Sequence, residues 1–396
     1  MSDSIVIVAA ARTPMGGFQG DFASLSATNL GAVAIKTAVE RSGLQATDVQ
    51  EVIMGCVLQA GQGQAPARQA ALQAGLPLSA GCTTVHKVCG SAMKATMFAC
   101  DALKAGSQDV IVAGGMESMT NAPYLLPKAR AGYRLGHGQM IDHMFFDGLE
   151  DSYKTETKGR LMGTFAEDCV AHYSFTRADQ DNFAIASTKR AQQAGTDGSF
   201  DWEIAPVTVS GRKGDVIVKT DEQPAKAQLD KIGSLKPAFK KDGTVTPANS
   251  SSISDGAAAL VLMREADALK RGLKPLARIV GYTTHAQEPA WFTTAPVFAM
   301  KKLFEMTGWT ADSVDLYEIN EAFAVVAMAA MKELNLPHDK VNVHGGACAL
   351  GHPIGASGAR IVVTLIGALR KYGKKRGIAS LCIGGGEATA MAVELL

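Results

Sequence analysis

The chain has 396 residues, 47% of them hydrophobic and 19% charged, with a formal net charge of +1. That length fits two or three domains or one large layered unit, and the composition supports a large buried core. The near-zero balance argues against a dedicated nucleic-acid binder but leaves room for a local basic patch facing a small anion. Seven cysteines, an odd number without Cys-x-x-Cys spacing, point to free thiols in a reducing compartment. The start Met1-Ser2-Asp3-Ser4 carries no positive leader region, and the apolar run from Ile5 to Ala11 is too short for a signal or a membrane span. The last residues, Glu394-Leu395-Leu396, form no peroxisomal address. Cytoplasm is the expected location.

In chain order, Ile5-Val6-Ile7-Val8 reads as a strand, 29–41 as a helix, 51–54 as a strand, 91–104 as a helix and 109–113 as a strand. Continuous apolar strands between helices predict an α/β sheet covered on both faces. Residues from about 120 to about 250 break the pattern with polar runs at 147–160 and 213–241. They predict a loop-rich insertion over the site, with Phe165, Tyr173, Phe183 and Trp202 as packing anchors. Beyond it the plan repeats at an offset of about 265 to 270 residues. Gly43, Ala46 and Val49 fall against Gly308, Ala311 and Val314, and both segments lead into a strand. Gly90-Ser91-Ala92 then falls against 355–359, and 113–117 against 384–387. The match implies a duplicated α/β unit, with loops of both copies meeting at one site.

Three segments carry candidate chemistry. Cys89 precedes a helix, where backbone N–H groups and the helix dipole favour a thiolate, the form that attacks a carbonyl or thioester. Buried cysteine is often only a small hydrophobe, and Cys56, Cys82, Cys100, Cys169 and Cys348 fit that description better. His352 stands between Gly351 and Pro353 on a rigid loop, which suits a base or an oxyanion donor and equally a loop cap. His137, His143, His172, His285 and His338 read as surface residues. Cys382 follows a strand and precedes Gly384-Gly385-Gly386, whose N–H groups can form an anion nest. A thiol there could move protons at a substrate carbon or simply pack at a strand end. Competing motifs fail: there is no dinucleotide fingerprint, His352 replaces the lysine of a P-loop, and zinc spacings are missing. Met93, Met97 and Phe98 form a stripe that reads as core.

Together these segments resemble the thiolase family, and within it the acetyl-CoA acetyltransferases. The resemblance rests on Ala10-Ala11-Arg12-Thr13-Pro14, Pro66-Ala67-Arg68-Gln69-Ala70, Cys89-Gly90-Ser91, Gly114-Gly115-Met116-Glu117-Ser118-Met119, Asn320-Glu321-Ala322-Phe323, the run from Gly351-His352-Pro353 to Gly358, and Cys382-Ile383-Gly384-Gly385-Gly386. It implies a five-layer αβαβα fold of two similar halves plus a loop domain. The division would be 1–120, completed by about 250–270, then 121–249 over the coenzyme A site, then 271–396. It implies Cys89 as nucleophile, His352 as its activator and Cys382 as acid and base at the substrate Cα. Asn320, through a water, and His352 would hold the enolate oxygen, and the N–H groups of Cys89 and Gly384 the acyl-step oxyanion. Coenzyme A would touch Ser251, with Leu149, Met162, Phe292, Ala322 and Phe323 along its path. Acetyl-CoA, acetoacetyl-CoA and coenzyme A are the implied partners and substrates, with no cofactor, metal, nucleic acid or membrane. A homotetramer is implied, with Arg68-Gln69 and 124–136 near subunit contacts.

The chain departs from the family pattern in places. Arg160-Leu161-Met162-Gly163 lacks a histidine that often meets the ligand, and 151–159 is a few residues longer. Lys226 stands near a missing arginine, and His86 and His344 replace asparagines. These leave open a broad-range 3-ketoacyl-CoA thiolase. A non-catalytic coenzyme A- or lipid-binding relative would lack one of the four reactive residues, and all four are present.

Overall fold

The computed structural model describes residues 4–153 and 156–396. The leader reading at Met1-Ser2-Asp3 and part of the lengthened segment at 151–159 therefore lie outside the described residues. Strands β1 (Ile5–Arg12), β2 (Gly16–Gly17), β3 (Glu51–Gly55), β4 (Gly81–Val85) and β5 (Val110–Ser118) come first. Two small hairpins come next, β6 (Tyr124–Leu125) with β7 (Ile141–Asp142) and β8 (Val207–Gly211) with β9 (Gly214–Val218). Strands β10 (Ser254–Arg264), β11 (Ala277–Ala286), β12 (Leu316–Ile319), β13 (Arg376–Ile383) and β14 (Glu387–Leu395) complete the set.

The main strands run in the order β12-β13-β14-β11-β1-β10-β5-β3-β4. Outward from the β1–β11 junction, the two halves match. In one, β1 pairs antiparallel with β10, β10 antiparallel with β5, and β5 parallel with β3. In the other, β11 pairs antiparallel with β14, β14 antiparallel with β13, and β13 parallel with β12. The counterpart of β4 is reduced to a single parallel bridge between Tyr317 and Val341. Even the irregularities correspond, with register shifts between Ile7 and Ala9 and between Ile279 and Gly281.

Helices α1 (Ala27–Ser42) and α2 (Pro66–Gln73) cover the outer face of the first half, where Leu30, Ile35, Ala67 and Ala70 pack on Val6, Val52 and Val112. Helix α3 (Ser91–Ala105) lies on the inner face. The insertion supplies α4 (Met162–Tyr173), α5 (Arg177–Thr196) and short α6 (Glu222–Lys226), and α7 (Glu265–Lys270) comes after β10. In the second half α8 (Ala295–Thr307) and α9 (Ala324–Leu334) cover the outer face, and after short α10 (Ala347–Leu350) comes α11 (Ser357–Lys371). Met93, Met97 and Leu103 of α3 share one core with Ile361, Val362 and Leu365 of α11, between Ile111 and Leu260 on one side and Leu381 and Met391 on the other. The layering is therefore αβαβα, as expected. Every residue of α11 from Ser357 to Leu369 is buried, as a helix between two sheets requires. Gly43 and Gly308, matched in the repeat, each end a helix in the left-handed conformation, at φ 75° and 70°.

The halves meet closely at the starts of α3 and α11. A Cβ on Gly115 would lie 2.0 Å from the Gly355 carbonyl oxygen, and one on Gly358 2.5 Å from the Met93 nitrogen. Two expectations need correction. Phe98 is 42% exposed, because it faces away from the side of α3 that buries Met93 and Met97. The insertion is less loop-rich than its polar composition suggested: α4 and α5 are full helices that bury their own Phe165 and Phe183. It is fastened to the first half by Arg12, fully buried, whose guanidinium meets Glu203 at 2.5 Å and Asp221 at 2.7 and 3.0 Å.

Candidate active site

Cys89 sits in a tight turn just before α3. Gly90 N–H donates to the Lys87 carbonyl at 3.0 Å, and Ser91 N–H to the Val88 carbonyl at 3.1 Å. Val88 takes φ 44°, unfavourable for a β-branched residue and held by these bonds. Gly90 packs closely on the opposite turn: a Cβ there would lie 2.3 Å from Ile383 Cδ1, and that side chain would have to move. An ion pair between Lys87 and Glu387 ties this turn to the β13–β14 turn. Gly385 and Gly386, at φ 95° and 83°, shape the latter so that the Gly384 N–H, with the Cys89 N–H, lies near the Cys89 sulfur and favours its charged form. The structure corrects the expectation of a resting thiolate. Removal from water outweighs these nearby N–H groups and pushes the Cys89 thiol up to about 11. Cys382, at the end of β13 and 1% exposed, is pushed well above the ordinary thiol range by the same burial.

His352 reaches the site on a backbone that passes through Gly351 at φ 100°, where a Cβ would lie 2.1 Å from Ser254 Oγ. Its N–H donates to the Ser252 carbonyl at 3.2 Å. Nδ1 lies 2.5 Å from Ser357 Oγ, and Nε2 lies 3.5 Å from Asn320 Nδ2. Burial and the nearby Arg360 charge push the imidazole down to about 3, so it is neutral and able to accept a proton. Asn320 is fully buried, and its Oδ1 has no hydrogen-bond partner among the described residues. That orphaned carbonyl is oriented to accept from a water or a ligand.

A cavity of about 60 Å³ collects the reactive groups. Its wall contains Cys89, His352, Cys382 and Gly384, together with Leu149, Met162, Ser251, Phe292, Ala322 and Phe323. Val88, Gly148 and Ile354 complete it, and Asn320 stands behind His352. Every candidate site residue of the sequence is thus at or beside one cavity. A wider apolar channel of about 340 Å³ shares Leu149, Met162, Ser251, Ala322 and Phe323 with it. Phe145, Phe239 and Leu161 line that channel, with Leu161 at the position of the missing histidine. Arg160 points away, to Asp168 at 2.6 Å and over the Phe165 ring. A third space of about 360 Å³, sharing Pro247 and Ser252 with the channel, carries Lys226 and Lys231.

Two buried carboxylates did not stand out in the sequence as individual residues. Glu117 accepts N–H bonds from Val57, Leu58 and Gly355 and so locks loops of both halves, and burial pushes it up to about 7. Glu321 accepts from Ser187, Asn342 and the Cys348 N–H. Their signal was present, an acid within an otherwise small and apolar motif. His143 is a correction: it is buried, accepts from the Ala60 N–H at 3.3 Å and lies 2.5 Å from Asp147. His344 is buried against the Phe200 and Tyr372 rings, which pushes it down to about 4. His86 is exposed, and its Nδ1 accepts the Val88 N–H.

The class is that of a duplicated five-layer α/β protein whose two copies each contribute reactive residues to one covered cavity. Residues 5–266 match the family model of the thiolase N-terminal domain and residues 273–395 that of the thiolase C-terminal domain. Acetyl-CoA acetyltransferase 2 of Arabidopsis thaliana is 52% identical over 99% of this chain and 97% of its own length. The acetyl-CoA acetyltransferase of Cupriavidus necator is 49% identical over 98% of this chain and 99% of its own. Among solved structures, the Bacillus anthracis acetyl-CoA acetyltransferase superposes with a TM-score of 0.96 at 42% identity, covering 100% of this chain and 99% of that one. The Acat5 thiolase of Ascaris suum, solved in complex with coenzyme A, gives 0.92 at 43% identity, covering 99% and 100%. The chain belongs to the thiolase family.

Proposed function

We propose that this protein is an acetyl-CoA C-acetyltransferase, reversibly joining two acetyl-CoA into acetoacetyl-CoA and coenzyme A. The observation that carries this reading is the single cavity of about 60 Å³ holding Cys89, His352 and Cys382. Two thiols and an imidazole, all in their neutral resting forms, give a closed proton account. His352 Nε2 takes the Cys89 proton, and the sulfur attacks the thioester carbon. The oxyanion is held by the N–H groups of Cys89 and Gly384, and losing one such donor raises the barrier by about 3 to 4 kcal/mol. The departing coenzyme A thiolate takes its proton from Cys382. The Cys382 thiolate then removes a Cα proton from a second acetyl-CoA. Its enolate oxygen is held by the Nε2–H of protonated His352 and by a water on Asn320. The carbanion attacks the acyl group on Cys89, and His352 returns its proton to the departing sulfur. A covalent acyl-enzyme makes the kinetics ping-pong.

The wider channel suits pantetheine, and Lys226 and Lys231 suit the phosphates beyond it. Lys226 already lies 2.5 Å from Glu222, so its charge is shared. The acyl carrier is a substrate, and the reaction calls for no cofactor. The division into 1–120, 121–249 and 271–396 is our reading too, supported by the matching strand order. A homotetramer is supported by the exposed edge strand β4 and by exposed Leu78, Leu126, Leu135 and Met140. No helix among the described residues is long and apolar enough to cross a membrane, and cytoplasm remains our proposed location.

One observation favours a second reading, a broad-range 3-ketoacyl-CoA thiolase: Leu161 makes the channel wall apolar where a histidine is usual. Thiolysis of a 3-ketoacyl-CoA series decides between them. Steep preference for acetoacetyl-CoA in kcat/KM is expected. Rates that hold or rise with chain length would establish the second reading, and no turnover on any member would refute both.

A further inference from the structure

Ser357 takes no part in the steps above, yet it is the nearest polar neighbour of the proposed base. It is the first residue of α11 and fully buried. Its hydroxyl lies 2.5 Å from His352 Nδ1 and 3.0 Å from the Pro353 carbonyl oxygen. A hydroxyl has one hydrogen, a carbonyl only accepts, and an amide nitrogen only donates. Asn320 Nδ2, at 3.5 Å, approaches His352 from the other side. An amide donor at Nε2 calls for a lone pair there, which leaves the ring hydrogen on Nδ1. Ser357 Oγ must then accept from Nδ1, and its own hydrogen goes to Pro353.

We infer that Ser357 is the positioning residue that fixes His352 as an Nε2 base and holds the imidazolium once Cys89 has given up its proton. The inference rests on the acyl-transfer reading of the site. In the resting enzyme the serine orients the ring and selects the hydrogen on Nδ1. When Sγ–H of Cys89 breaks and Nε2–H forms, the positive charge on the ring stays bonded through Nδ1–H to an oxygen whose hydrogen is already committed to Pro353. The Pro353 carbonyl also accepts from the Ala356 and Ser357 N–H groups at 2.9 and 3.0 Å, so the acceptor is anchored by the first turn of α11. Gly358, the next residue, packs against Met93 in α3, so the serine is fixed to the helix pair whose starts follow Cys89 and His352.

The test is the pair Ser357→Ala and Ser357→Thr, each checked for an unchanged melting temperature. Two readouts are taken: kcat and KM for coenzyme A-dependent cleavage of acetoacetyl-CoA, and the pH profile of Cys89 alkylation by iodoacetamide. In Ser357→Ala, kcat should fall at least tenfold with KM for coenzyme A within about twofold. Alkylation near neutral pH should slow at least fivefold and climb with pH, as expected of a thiol without its base. Ser357→Thr, which keeps the hydroxyl, should recover most of both. Alkylation needs no acyl-CoA, so it reports on the pair even if the wild-type protein cleaved no acyl-CoA at all. An alanine variant within threefold of wild type in kcat and in alkylation profile overturns the inference, as does a folded threonine variant as slow as the alanine one.

Discussion

The two halves share a strand order and differ in the connections that leave corresponding strands. In the first half β4 is a full strand, and the chain leaving it turns through Val88 to present Cys89 ahead of α3. In the second half that strand has shrunk to one bridge at Val341, and the chain passes through α10 to present His352 ahead of α11. Between β5 and β10 the first half carries the long insertion, whereas between β13 and β14 the second has only the Gly384–Gly386 turn. A symmetric scaffold thus aims two helix starts at one point, and unequal loops give each start a different group. Chemistry diverged in the connections, where backbone packing constrains sequence least.

The largest expected effect breaks the division of labour outright. Cys89→Ala should lower acyl transfer by at least about 10,000-fold while coenzyme A binding, followed by calorimetry, stays within a few-fold. Retained turnover would refute the assignment of the nucleophile to the first half. Next, Arg12→Met should destabilise the protein by about 3 to 5 kcal/mol in urea unfolding, because Glu203 and Asp221 are left buried without their cation. Gly115→Val tests the crossing of the halves. With the Gly355 oxygen 2.0 Å from the new Cβ, the loss should reach about 3 kcal/mol, and a smaller loss would mean that the central layer can open.

Glu117, which ties loops of both halves, gives a pH signature. Its folded value of about 7 lies above the ordinary 4.5, so the folded state binds the proton more tightly. Its contribution is complete below about 4.5 and is lost as pH rises through about 7, a change on the order of 3 kcal/mol. The stability difference between wild type and Glu117→Gln, measured from about pH 4 to about pH 8, should shrink accordingly with rising pH. The smallest effect sharpens the role of the insertion. Leu161→His should shift the kcat/KM ratio of acetoacetyl-CoA over longer substrates by about threefold, since the new side chain faces the channel rather than the reacting atoms.

Much of this was legible in the chain. The glycine at 43 and 308 announced that two helices stop alike, and the apolar runs announced buried strands. Cys89, His352 and Cys382 stood out beside loop glycines, but each also had an ordinary packing reading, and only the family resemblance of the whole set of motifs singled them out. The state of those groups was not legible. Local sequence promised a thiolate at a helix start, whereas the surrounding walls, contributed by Leu149, Met162 and Phe323 from distant segments, keep Cys89 a thiol. The helices of the insertion were hidden because α5 buries little apolar surface and carries Arg, Asp and Gln along most of its length. Buried His143 was hidden for a similar reason, as its partners Ala60 and Asp147 come from a loop of the first half and from its own turn.

The sequence by itself determined the α/β class and the duplication, since periodicity and turn glycines are local properties of the chain, and its motifs, through their resemblance to a family, nominated the candidate reactive residues. Only the tertiary structure decided that Cys89, His352 and Cys382 share one cavity and rest uncharged, and that Ser357 orients the imidazole. Desolvation and hydrogen-bond partnership depend on which distant walls close around a group, and residue order alone carries no record of them.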